Sequence, residues 1–173
     1  MTAIAWDGTT LAVDRATFGA DQMMECLKLH IIYKKDNPVM YASCGSTYNI
    51  NSIVRWLETG GEGKPDIDKD ADTLGASFGI MVDSYGTAWT VFGNGTLERI
   101  IAPFAADGAA TPFLYGALAA GASADKAVRL AVQMRGDAGI GVDAFEWKGL
   151  RSIELRMAAV EHIKKSILKG ERT

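Results

Sequence analysis

The most economical catalytic group in this sequence stands at its beginning. Thr2 follows Met1 and is small enough for the methionine to be removed, which would leave a hydroxyl and a free α-amine on one residue. An α-amine has an ordinary pKa of about 7.7–8.0, so near neutral pH it can take the hydroxyl proton directly or through a water. Nucleophile and base would then belong to the same residue, the arrangement an acyl-transfer enzyme needs. A Met-Thr start is common, so its meaning depends on its surroundings.

Other chemistry-bearing groups are sparse. His30 and His162 are far apart, with no Cys or carboxylate at zinc-ligand spacing. Asp66, Asp68 and Asp70 repeat the 1, 3, 5 spacing of a calcium loop, but Ala71 and Ser77 stand where its glycine and glutamate belong. No metal site and no cofactor is expected. Cys26 and Cys44 lie in apolar stretches and read as small buried hydrophobes, and Met23 and Met24 read as core. Gly45 is the one glycine that follows a strand and precedes a helix, and it lacks the GxGxxG or P-loop lysine context of a phosphate cradle.

Composition sets the frame. The chain has 173 residues, 48% hydrophobic and 23% charged, and a net charge of −3, so one ordinary globular domain is expected and a nucleic-acid partner is not. No run of about 18 apolar residues suggests a membrane span, and no basic start with an apolar stretch suggests a signal peptide. A cytoplasmic protein is expected. The charge is uneven: residues 149–173 carry 6 basic and 3 acidic groups, the remainder 12 and 18.

The elements that must position Thr2 read as follows. Two short strands, 2–6 and 9–13, flank Asp7-Gly8, a hairpin signal that predicts a two-residue turn. A third strand is expected within 23–33 and a fourth at 39–44, so that four strands precede any helix. Ile50, Ile53, Val54 and Leu57 give the apolar stripe of a helix at 47–59, closed by Gly60-Gly61. Strands follow at 76–83, 87–92 and 96–102. A helix is expected over 109–120, a second begins at a Ser123 N-cap, and a strand runs over 142–147. Ile153, Met157, Val160, Ile163 and Ile167 predict a terminal amphipathic helix at about 151–169. Strands, helix, strands, paired helices, strand is the order of a layered α+β domain, not of a βαβ nucleotide fold.

Four stretches in this order resemble the proteasome β-subunit family of N-terminal nucleophile hydrolases, including HslV-type peptidases and phage-encoded relatives. They are Thr2 to Gly19, Lys28-Leu29-His30-Ile31-Ile32, Val39 to Ser46, and Tyr115 to Val128. The resemblance implies a four-layer αββα sandwich over residues 1–148, with 149–173 as a basic helical extension. It implies Thr2 as the nucleophile, Lys28 as the positive charge beside it, Asp14 as the partner of Lys28, and the Gly45 N–H as the oxyanion donor. It gives Ser43 to the pocket for the side chain before the scissile bond, and Thr17 to backbone alignment of an extended substrate.

Each of these residues also has a plainer reading alone: Lys28 as a snorkelling surface lysine, Asp14 as a turn cap, Gly45 as a strand end. The sequence departs from the family at three places. Asp14-Arg15-Ala16-Thr17 is one residue short, Gly108-Ala109-Ala110 lacks the usual serine, and Arg135-Gly136-Asp137-Ala138-Gly139 has an Asp without the accompanying hydroxyl. Two functions follow as expectations. One is a threonine-type peptidase or amidohydrolase working on peptide or protein substrates in a homo-oligomeric ring, with an unfoldase as a partner. The other is an inactive proteasome-like structural or assembly protein, such as a component of a phage particle.

Overall fold

The computed structural model describes residues 2–19, 22–34, 37–68, 76–134 and 138–150. Met1, the acidic loop beyond Asp68, Arg135–Asp137 and the expected terminal helix at 151–169 lie outside them. The chain opens with β1 (Ile4–Trp6) and β2 (Thr10–Asp14), then β3 (Ala16–Gly19) and β4 (Gln22–Glu25), then β5 (Leu29–Lys34) and β6 (Asn37–Ser43). After α1 (Thr47–Glu58) come β7 (Ser77–Asp83), β8 (Ala88–Phe92), β9 (Leu97–Arg99) and β10 (Ala105–Asp107). The helices α2 (Thr111–Ala119) and α3 (Ala124–Met134) and the strand β11 (Val142–Glu146) complete it.

Two sheets form the middle of the molecule, one in the order β10-β1-β2-β11 and the other β5-β6-β7-β8-β9. Alternation along the strands separates the layers, because successive side chains of a strand point to opposite faces. Ile4, Trp6, Leu11 and Val13 of the first sheet meet Met40, Ala42, Ile80 and Val82 of the second. The other face of the first sheet, Ala3, Ala5 and Ala12, packs on Leu114, Leu118, Ala127, Val128 and Ala131 of α2 and α3. Small residues there let the helices approach closely. The other face of the second sheet, with Ile32, Tyr41 and Met81, receives Ile53, Trp56 and Leu57 of α1. The result is the four-layer αββα sandwich.

Several local expectations are corrected. The first hairpin is wider than a two-residue turn: Trp6 pairs with Leu11, and Asp7 Oδ1 accepts the N–H groups of Thr9 and Thr10, so the aspartate organises a four-residue loop. The stretch 23–33 is not one strand. β4 pairs with β3 as a separate two-stranded ribbon, and the chain crosses Cys26–Lys28 before joining the large sheet as β5. Six strands therefore precede α1. Met23 and Met24, read as core, are 43% and 48% exposed on that ribbon, and Cys26 is only partly buried. The apolar run after residue 96 leaves its sheet at Arg99, and Ala105–Asp107 crosses to the edge of the other sheet, opposite Ile4–Trp6. The helix expected from 109 begins at Thr111, where Pro112 occupies the first turn, a position that needs no donated N–H.

The described chain ends inside the core. Residues 147–150 are helical, and Leu150 is fully buried among the side chains between the sheets.

Candidate active site

All strand ends that matter lie at one end of the sandwich. Thr2 precedes β1, Asp14 closes β2, Lys28 precedes β5, Ser43 closes β6 with Gly45 just beyond, and Asp107 closes β10. Antiparallel pairing of β1 with β2 sets Asp14 beside the first residues of the chain: the Ala3 N–H donates to Asp14 Oδ1 at 2.8 Å, and the Asp14 N–H donates to the Ala3 carbonyl at 3.1 Å. The second carboxylate oxygen accepts from the N–H groups of Ala16, at 3.2 Å, and Gly139, at 3.3 Å. Asp14 is wholly buried, and three backbone donors compensate its lost hydration.

Lys28 Nζ lies 3.1 Å from Asp14 Oδ1 and donates to Thr2 Oγ1 at 3.1 Å. Both Lys28 and Thr2 are buried. The carboxylate fixes the ammonium, and the ammonium places a positive charge on the threonine hydroxyl oxygen, where it favours any negative charge that develops there. Ser43 serves Lys28 from behind: its N–H and its hydroxyl both donate to the Lys28 carbonyl, at 2.9 and 3.2 Å. Ser43 has no exposed surface and is absent from the cleft wall.

The cleft itself is lined by Thr2, Thr17, Cys26, Lys28, His30 and Gly45, and by Thr47, Ile50 and Asn51 of α1. Gly45 has φ of +112°, and a Cβ there would stand 2.8 Å from the Phe78 ring, so backbone geometry and space both require glycine. His30 stacks on Tyr41 with ring centroids 6.1 Å apart, and burial lowers its pKa from 6.5. On the other flank of Thr2, Gly108 has φ of +86°, and a Cβ there would come within 2.3 Å of the Thr2 carbonyl oxygen. The Ala110 N–H reaches that same oxygen at 3.4 Å.

Thr2, Lys28, Thr17 and Gly45 thus meet at one cleft, and Asp14 and Ser43 stand behind it, each holding Lys28. Shortening of the turn after Asp14 leaves Thr17 on the cleft wall and Asp14 against Lys28. Sequence reasoning assigned no place at the site to His30 and Asn51, which line the cleft, or to Gly108, which closely approaches the Thr2 carbonyl. A usable signal existed for His30, which shares a strand face with Lys28 at a spacing of two. Ile50, assigned to the helix's apolar stripe, turns toward the cleft instead. Among the described residues, no group of three or more His, Cys, Asp or Glu side chains could hold a metal ion.

The backbone settles the fold class. The structure is similar to that of BPH from Thiobacillus denitrificans in complex with epoxomicin, with a TM-score of 0.56 and 16% identity over 84% of this chain and 96% of that one. It is similar to HslV from Trypanosoma brucei, with a TM-score of 0.56 and 17% identity over 84% and 98%. It is also similar to Anbu from Pseudomonas aeruginosa, solved as a helical assembly, with a TM-score of 0.60 and 11% identity over 100% and 98%. The fold is that of the proteasome-like N-terminal nucleophile hydrolases. No protein-family model matches the sequence, and no curated protein matches it. The likeness therefore resides in the backbone, and the chemistry has to be argued from the side chains.

Proposed function

We propose that the protein is a threonine-type peptidase or amidohydrolase whose nucleophile is Thr2, exposed as the N-terminal residue when Met1 is removed. The observation that carries this reading is the buried chain Asp14–Lys28–Thr2, with 3.1 Å at each link. A buried lysine held against a hydroxyl by a carboxylate is costly unless it serves both.

In the reaction the α-amine takes the Oγ1 proton as Oγ1 attacks the substrate carbonyl, and Lys28 stabilises the negative character on Oγ1. The Gly45 N–H receives the oxyanion. The amine returns its proton to the leaving nitrogen as the C–N bond breaks, leaving an ester on Thr2, and a water activated by the same amine hydrolyses that ester. Thr17 lies on the exposed ribbon at the cleft, where its backbone can pair with an extended peptide as an added strand. Work within a homo-oligomer is supported by the helical assembly of the Anbu neighbour, and susceptibility to an epoxyketone by the epoxomicin complex of the BPH neighbour.

The test is direct. Intact mass should show loss of one methionine, and a peptide epoxyketone should add one equivalent to the processed protein and none to Thr2→Ala or Lys28→Ala. Quantitative retention of Met1, or labelling that survives in Thr2→Ala, overturns the reading. One observation favours the alternative of an inactive structural or assembly protein, of a phage particle for example: Ala109 stands where the family has a serine beside the nucleophile. A processed protein with a free Thr2 amine that remains unlabelled would establish that alternative.

A further inference from the structure

The second sheet has five strands and the first only four, and β10 is the edge strand of the smaller one. Along this edge, where β7 and β8 lie opposite β10, is a cavity of about 190 Å³ that the proposed reaction does not use. Ile80, Ile100 and Phe104 give it apolar walls, and Tyr115 adds a second aromatic ring 6.1 Å from that of Phe104. Among the described residues, Asp107 is the one carboxylate in its lining, which includes no lysine, arginine or histidine.

Among the described residues, uncharged groups hold that carboxylate. Its Oδ1 accepts the Gly108 N–H at 2.7 Å, and its Oδ2 accepts the Ser77 hydroxyl. Both donors are uncharged, as is the Cys44 thiol that also hydrogen-bonds this carboxylate, and a carboxylate has acceptor sites for about four donors. Its negative charge is felt locally, since after burial it is the next largest influence raising the pKa of the Cys44 thiol. An apolar sleeve with aromatic walls and one anionic end matches a cation on an alkyl stem, because the stem gains from burial while the cation gains from the carboxylate and the ring faces.

We propose that this cavity binds a primary ammonium or guanidinium on an alkyl stem, and that its occupant is a lysine or arginine side chain of the peptide on the leaving-group side of the scissile bond. The side follows from position. The cleft with Thr17 and Gly45 opens on the Asp14 and Lys28 flank of Thr2. Asp107 pairs with Ile4 on the opposite flank, and its neighbour Gly108 touches the Thr2 carbonyl oxygen. The assignment to a peptide rests on the hydrolase reading, whereas the binding of an alkyl cation does not.

The experiment titrates pentylammonium and, separately, pentanol into the isotopically labelled Thr2→Ala full chain, followed by amide chemical shifts. Pentylammonium should bind at least tenfold more tightly than pentanol and perturb Ile100, Gly108 and Tyr115. Asp107→Asn, which keeps an oxygen acceptor for the Gly108 N–H and presents an NH2 group to the Ser77 hydroxyl, which can accept as well as donate, should remove that tenfold preference. If Asp107→Asn does not fold, Ala102→Lys at the exposed rim of the cavity supplies a tethered cation that should exclude pentylammonium. Equal binding of the two probes, or binding unaffected by both substitutions, overturns the proposal. In active protein, peptides with lysine against norleucine just after the scissile bond should differ at least tenfold in kcat/KM, and the ratio should collapse in Asp107→Asn. A ratio near one in native protein overturns the peptide assignment. Intact pentylammonium binding with no cleavage of either peptide overturns the hydrolase reading instead, and with it the assignment to a peptide.

Discussion

The two flanks of Thr2 are built on opposite principles. Toward β2 and β5, Asp14 and Lys28 are buried and paired, and Asp14 takes three backbone N–H groups. Toward β10 and β7, Asp107 is partly exposed, accepts from uncharged groups, and borders an open cavity. The first flank resembles a preorganised catalytic environment, in which dipoles and charges are set before any substrate arrives. The second resembles a recognition surface, with polar capacity left for something that comes and goes. The difference teaches that the number of carboxylates near a nucleophile says little, whereas what neutralises each of them says much.

The sharpest way to break this contrast is Asp14→Ala. It would strand a buried ammonium and three backbone donors, so we expect a loss of about 3–5 kcal/mol in denaturant unfolding together with complete loss of epoxyketone labelling. The equivalent change on the other flank, Asp107→Ala, should cost only about 1–2 kcal/mol, because the Gly108 N–H and the Ser77 hydroxyl retain access to water. Similar losses for the two would erase the distinction. Gly108→Ala tests the boundary between the flanks. With φ of +86° and a Cβ directed at the Thr2 carbonyl, it should displace Thr2 and slow labelling at least tenfold, with a stability cost of about 1–2 kcal/mol from the backbone alone. A smaller effect is expected from His30. Its folded pKa lies below 6.5 because burial disfavours the cation, so the unfolded chain takes up its proton first as the pH falls. Stability from this residue is fully present above pH 6.5 and declines as the pH falls toward its folded pKa. His30→Gln should flatten that part of the melting-temperature profile, and an unchanged slope would assign the acid sensitivity elsewhere.

How much of this could be read from residues alone depended on range. Alternation gave β2, the apolar run at 39–44 gave β6, and the Ile53–Leu57 spacing gave α1, because each of these patterns is completed within one element. Resemblance to a known family supplied the αββα sandwich. The continuous strand expected over 23–33 failed because apolar spacing at 27, 29 and 31 does not reveal a change of partner. Leu27 is 68% exposed at the point where the chain leaves the β3–β4 ribbon for the large sheet. β10 was missed for a similar reason: three residues of modest β propensity become a strand only when β1 offers an edge. At the site, Thr2, Asp14 and Lys28 were legible as types in a familiar order. The part of Ser43 in holding the Lys28 carbonyl was not, since that bond joins two strands whose register no local pattern records. Asp107 went unnoticed because it lies on the strand the reading lacked, and Gly108 was read only as the start of a stretch without the family's serine.

The clamp on the Thr2 main chain bears on how the protein would mature. Gly108 abuts the Thr2 carbonyl, the Ala110 N–H reaches it, and the next peptide unit exchanges hydrogen bonds with Asp14. None of these contacts uses the Thr2 amine. Removal of Met1 would therefore leave these contacts in place. The unprocessed and processed chains should refold at the same rate, and a chain that waits for its aminopeptidase should wait fully assembled.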